Sequence, residues 1–100
     1  MGHDRRILSI ANEMNRAGKL ARPDDGERRR NAYARVLQLA DLTAEVSDRL
    51  AVRREVLRWR ECVAELFLAD GPQPAAHRRL FEVLLLMSRE AARQRPYVLA

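Results

Sequence analysis

The sequence predicts an all-α protein folded as an up-down-up-down four-helix bundle, and three observations predict it. Apolar residues recur at alternating steps of three and four along most of the 100-residue chain, the spacing that places them on one side of a helix. Glycine and proline gather in two interior stretches, "ARPDDG" at Ala21 to Gly26 and "DGPQP" at Asp70 to Pro74, which read as turns. No stretch carries the period-two alternation of a half-buried strand. Short connections between helices of about 20 residues, each about 30 Å long, favour antiparallel neighbours.

The first helix is predicted from about Asp4 to Ala21. Ile7, Ile10, Met14, Ala17 and Ala21 step by three, four, three and four and fall on one stripe, and Asp4 is placed to cap the start. Proline and glycine then stop it. The second helix begins near Asp25, where Asp24 or Asp25 can accept orphan amide hydrogen bonds and Glu27 faces the positive end of the dipole. Its inward stripe is Tyr33, Val36, Leu37, Ala40 and Thr43, with Arg28, Arg29 and Arg35 directed elsewhere.

A break is expected between residues 43 and 48, because Thr43, Val46 and Ser47 are weak helix formers and Ser47-Asp48 resembles a new amino-terminal cap. The alternative is three helices with a long bent middle helix. The third helix is predicted from about Asp48 to Ala69, with Val52, Val56, Trp59, Val63 and Leu66 inward, widened by Phe67. The fourth is predicted from about Pro74, tolerated in a first turn, to Gln94. Its inward residues are Leu80, Leu84, Met87 and Ala91, widened by Phe81 and Val83, and Pro96 ends it.

Composition bounds the function. Hydrophobic residues make up 47 % and charged residues 33 %, the balance of one globular domain spanning 1–100. The longest apolar run, Val83 to Met87, falls far short of the roughly 20 residues a membrane helix needs. Cys62 is the single cysteine, so no intrachain disulfide forms and a reducing, cytoplasmic setting is expected. The amino terminus lacks the pattern of a signal peptide.

The net charge of +5 raises the prospect of an anionic partner. Arg28, Arg29, Arg49, Arg53 and Arg60 are the candidate phosphate contacts of a nucleic-acid-binding reading. Against it, Asp48, Glu55, Glu61 and Glu65 interleave with the third-helix arginines, where Arg58 can pair with Glu61 or Glu65 and Arg49 with Glu45. Trp59, Tyr33 and Tyr97 are too scattered for a base-stacking platform. A solvated charged face is the expectation.

Catalytic signatures are sparse. His77 has no ligating residue three or four positions away, and His77, Cys62 and Glu61 make a poor metal or nucleophile set. The Glu-x-x-His of di-iron bundles, a phosphate loop, HExxH, CxxC and GxSxG are all missing from the sequence. No enzyme activity, cofactor or metal is expected. His77 reads as a surface or satisfied histidine, and Cys62 as a partly buried small hydrophobe.

"FEVLLLM" is the most informative stretch. Leu85 and Leu86 fall off the inward stripe of the fourth helix, as Leu57 and Leu68 do on the third. A helix apolar around most of its girth is buried on more than one side. The expectation is a non-enzymatic protein-interaction module, self-associating as a homodimer through helices three and four. Leu57, Leu68, Leu85 and Leu86 are its anchors, and Arg53 and Arg60 its rim charges.

Overall fold

A computed structural model describes residues 2–88. Four α-helices follow one another: α1 over His3–Lys19, α2 over Gly26–Glu45, α3 over Leu50–Leu68 and α4 over Pro74–Leu86, with a single 3-10 turn at Pro23–Asp25 before α2. No strand occurs among the described residues. Each helix packs on its neighbours in the chain, and α4 closes the circuit by packing on α1. The backbones of the diagonal pairs α1/α3 and α2/α4 stay apart, and α2 reaches α4 only through side chains, Tyr33 meeting His77. The architecture is the expected four-helix bundle. The continuous bent helix is excluded, because the chain leaves helical geometry between Val46 and Arg49. The predicted extension of α4 to Gln94, Ala91 and the Pro96 stop lie outside the described residues.

The stripes pack as their spacing dictates. Ile7, Ile10 and Met14 of α1, Val36 and Ala40 of α2, Val56 and Val63 of α3, and Leu84 of α4 have essentially no exposed surface. Tyr33, Trp59, Leu66 and Phe81 complete the core. At about 25 cal/mol per Å² of apolar surface, each of these side chains larger than alanine contributes about 1.5–3 kcal/mol. Trp59 also donates its Nε1–H to the Leu80 carbonyl at 2.8 Å, tying α3 to α4. This satisfies the one polar atom of the ring.

The caps differ from expectation. Gly2 precedes α1 without a side-chain bond. Asp4 instead accepts a hydrogen bond from the Ser88 hydroxyl at 2.6 Å, and His3 Nε2 donates to the Met87 carbonyl at 3.1 Å, so the start of α1 is clasped to the end of α4. Buried Asp25 caps the 3-10 turn rather than α2, accepting from the Arg22 amide at 3.2 Å and from Arg28 Nη2 at 2.6 Å. Ser47 does not cap α3. Its hydroxyl donates to the Arg49 carbonyl at 3.4 Å.

Two arginines close helix ends that the sequence left open. Arg53 Nε donates to the Ala44 carbonyl and Arg53 Nη2 to the Ser47 carbonyl, both at 3.0 Å, where α2 runs out. Arg29 Nη1 donates to the Leu20 carbonyl at 3.0 Å, at the end of α1. Each reaches back nine residues to the end of the preceding helix and adds a donor where the regular intrahelical bonds run out. Arg29, expected to point outward, is 6 % exposed for this reason.

Candidate functional site

The four predicted anchors divide. Leu85 is fully buried, which corrects its assignment to an interface. It lies one residue, 100°, round from Leu84, and because α4 packs on both α1 and α3 the bundle itself covers it. Leu57, Leu68 and Leu86 are 40 %, 75 % and 62 % exposed and remain available. They do not form one patch. Leu57 and Leu68 occupy the outer flank of α3 on the side of Arg60, whereas Leu86 lies on the outside of α4. Val83, expected inward, is also exposed and stands with Leu86.

Between these two helices runs a hollow of about 660 Å³. Trp59 and Cys62 of α3, Leu80 and Val83 of α4 and Met87 just past its end line it, and Arg54, Glu55 and Arg58 stand along its α3 side. α3 and α4 touch least of the four neighbouring pairs. The cause lies in the sequence: at the α4-facing positions of α3 stand Ala51, Glu55, Arg58 and Cys62, which are small or charged and do not fill the seam. Cys62 is exposed on this wall, not partly buried as expected.

The candidate basic residues are dispersed and mostly engaged. Arg28 pairs with Asp25 at 2.6 Å, and Arg60 pairs with Asp41 at 2.7 Å across the α2–α3 seam and with Glu61 at 3.5 Å. Arg29 and Arg53 hold the helix ends described above, and Arg49 is exposed at the start of α3. The pairs expected for Arg58 and Arg49 do not occur among the described residues. Arg35–Glu13 at 3.3 Å and Arg78–Glu82 at 3.6 Å are found instead.

His77 is half-buried at the junction of α1, α2 and α4. Its Nδ1 accepts the Tyr33 hydroxyl at 2.7 Å. The Met14 carbonyl can only accept, so the hydrogen bond to it takes its proton from the other ring nitrogen, Nε2, which lies against the bare Cα of Gly18. A methyl group on Gly18 would stand 2.6 Å from this nitrogen, so only glycine admits the ring. Burial pushes the His77 pKa down, against the pull of the Met14 carbonyl. Burial also pushes the Tyr33 phenol up to about 12, with the Arg29 charge opposing. Both groups are neutral at pH 7. His77 and Cys62 line different hollows, so the chain does not assemble the sparse set of His77, Cys62 and Glu61. Among the described residues no group of three or more histidine, cysteine and acidic side chains could hold a metal ion. No helix there is long and apolar enough to cross a membrane.

Sequence reasoning missed the part played by Gly18. The spacing of Gly18 and His77 carries no local signal, because the helices that bear them meet only when the circuit closes. Compared with protein-family models, with curated proteins and with solved structures, the chain matches none of them.

Proposed function

We propose that the protein acts by binding protein through its α3/α4 face, and that its first partner is a second copy of itself. One observation carries this reading. The α3–α4 seam is the open seam of the bundle, with Trp59, Leu80 and Met87 along it and Val83 and Leu86 exposed beside it. Wetted aliphatic side chains beside an apolar hollow are the arrangement that a helix from another chain covers. The charges along the seam favour self-pairing. Arg54, Arg58 and Arg79 stand with Glu55 and Glu65, so a two-fold axis can set each sign against its opposite. Leu57, Leu68, Arg53 and Arg60 flank the face and play a smaller part, Arg53 and Arg60 being held within the chain.

The activity proposed is recognition and not catalysis, at an intracellular site. Nucleic-acid binding is the weaker reading, because four of its five arginines spend donors on acceptors of the same chain. Light scattering on a sizing column at micromolar concentrations tests the proposal. Wild type should run at twice the 11.5 kDa chain mass, and Leu86→Glu with Val83→Glu should run as a monomer with unchanged helical circular dichroism. A monomeric wild type, or a dimer indifferent to both changes, overturns it. Retention on heparin that collapses with modest salt, together with a gel shift, would favour the nucleic-acid reading instead.

A further inference from the structure

At the other end of α4 lies a second hollow, of about 370 Å³, where the end of α1 meets the starts of α2 and α4. Arg29, Tyr33, His77 and Arg78 face it, between apolar walls that include Leu20 and Pro72. Its electrostatics are unbalanced. Arg29 is 6 % exposed, yet among the described residues no carboxylate lies within 4.0 Å of it. A buried guanidinium ordinarily sits beside an anion, because leaving its charge uncompensated costs several kcal/mol. Of its five N–H donors, one is spent on the Leu20 carbonyl. The partial negative charge at the end of α1, about half an elementary charge, offsets part of the remainder. The positive end of α2, in whose first turns Arg29 stands, adds to it.

The start of α4 adds donors. Gln73 makes no side-chain cap bond, and the first turn carries no acidic residue. The amides of Ala75 and Ala76 are therefore orphan donors at the positive end of the dipole, with Ala75 on the wall of the hollow. Tyr33 and His77 are both neutral and bonded to each other, so neither supplies the missing negative charge. Arg78, at the rim, is held only loosely by Glu82 at 3.6 Å.

We propose that this hollow binds a small carboxylate with a short apolar body. The carboxylate lies across the free edge of the Arg29 guanidinium and the first amides of α4, and the body fills the space against Leu20 and Pro72. A planar carboxylate matches the guanidinium fork, and a single negative charge balances the single buried cation. The volume is near the lower end for small-molecule sites, which suits a body of several carbon atoms and not a nucleotide.

The test is amide NMR and thermal unfolding of the full chain with benzoate, hexanoate, acetate and inorganic phosphate, at fixed pH and ionic strength. Benzoate or hexanoate should saturate, shift the Ala75 and Ala76 amides and raise Tm. Acetate should bind at least about tenfold more weakly for want of a body. Arg29→Gln should abolish the response. If that variant unfolds, Arg29→Lys should weaken binding about tenfold by losing the fork. Ala75→Leu, which fills the hollow from an exposed position, should block binding with the fold intact. No saturable response to either larger carboxylate, an equal response to phosphate, or a response that survives both Ala75→Leu and the Arg29 change overturns the proposal. The readout is local to α1, α2 and the start of α4, so it stands or falls independently of self-association.

Discussion

Replacing Gly18 with alanine should destabilise the bundle, although alanine is the better helix former. In an open helical position the exchange gains up to about 1 kcal/mol. Here the added carbon would stand 2.6 Å from His77 Nε2 and 3.2 and 3.3 Å from the adjoining ring carbons. Restoring an ordinary contact of 3.4 Å requires the ring to retreat by 0.8 Å, the difference between 3.4 and 2.6 Å. Phe81 backs the ring, with centroids 6.1 Å apart, and Tyr33 holds it by a 2.7 Å bond. A retreat of that size breaks or strains the bond and leaves a buried phenol poorly paired, at about 1–3 kcal/mol. Overpacking adds a further about 1–3 kcal/mol. Set against the gain in propensity, the net loss should be about 1–5 kcal/mol, read as a fall in urea midpoint at constant slope. Gly26→Ala is the internal control. Its new carbon meets nothing nearer than 3.7 Å, so it should be neutral or stabilising by up to about 1 kcal/mol. The double variant Gly18→Ala/His77→Ala should recover part of the loss, with a coupling of about 1 kcal/mol or more. If Gly18→Ala stabilises as Gly26→Ala does, the close approach of His77 to α1 is refuted.

Three further outcomes are expected. Leu85→Ala should cost about 2–5 kcal/mol by opening a core cavity, whereas Leu86→Ala should stay within about 0.5 kcal/mol in the monomer, and denaturant melts of the two should differ accordingly. Because the folded His77 pKa lies below its ordinary 6.5, the unfolded chain takes up a proton that the folded chain refuses. Stability contributed by His77 is therefore full above pH 6.5 and declines as pH falls from there towards the folded value. Wild type should lose stability relative to His77→Gln over that window, and proton NMR of the ring should titrate below 6.5. Arg53→Met should leave the Ser47 carbonyl without its side-chain donor and the Ala44 carbonyl with the Ser47 amide alone, costing about 1 kcal/mol, with faster hydrogen exchange confined to the last turn of α2.

The helical periods were legible because each depends on one helix alone. Ile7, Ile10 and Met14, or Val56, Trp59 and Val63, repeat at the pitch of the helix that carries them, and all are buried. The break before α3 was legible for a similar reason, in a local run of weak formers. What escaped depends on how helices meet. Leu85 was read as surface because its own helix has a narrower stripe, but α4 packs on both α1 and α3 and buries a wider arc. Arg29 and Arg53 were counted among the cations offered to a partner, yet each is spent on carbonyls nine residues upstream, a distance set by the turn and not by the helix. Cys62 was judged by its residue type, and it lies on a wall that its small and charged neighbours leave open. On the outer side of α4 Leu86 is exposed, and Val83, expected inward, is exposed beside it because the α3–α4 seam stays open.

The clasp of His3 on Met87 and of Asp4 on Ser88 brings together residues 84 positions apart. With that clasp made, the four rods form a circle nicked at a single place, and no helix holds a privileged first position. The nick should be movable. Joining Ala100 to Met1, with residues 89–100 serving as the linker across the clasp, and a new cut in the exposed stretch at Pro72–Gln73, should yield a circular permutant that begins with α4 and keeps the same core.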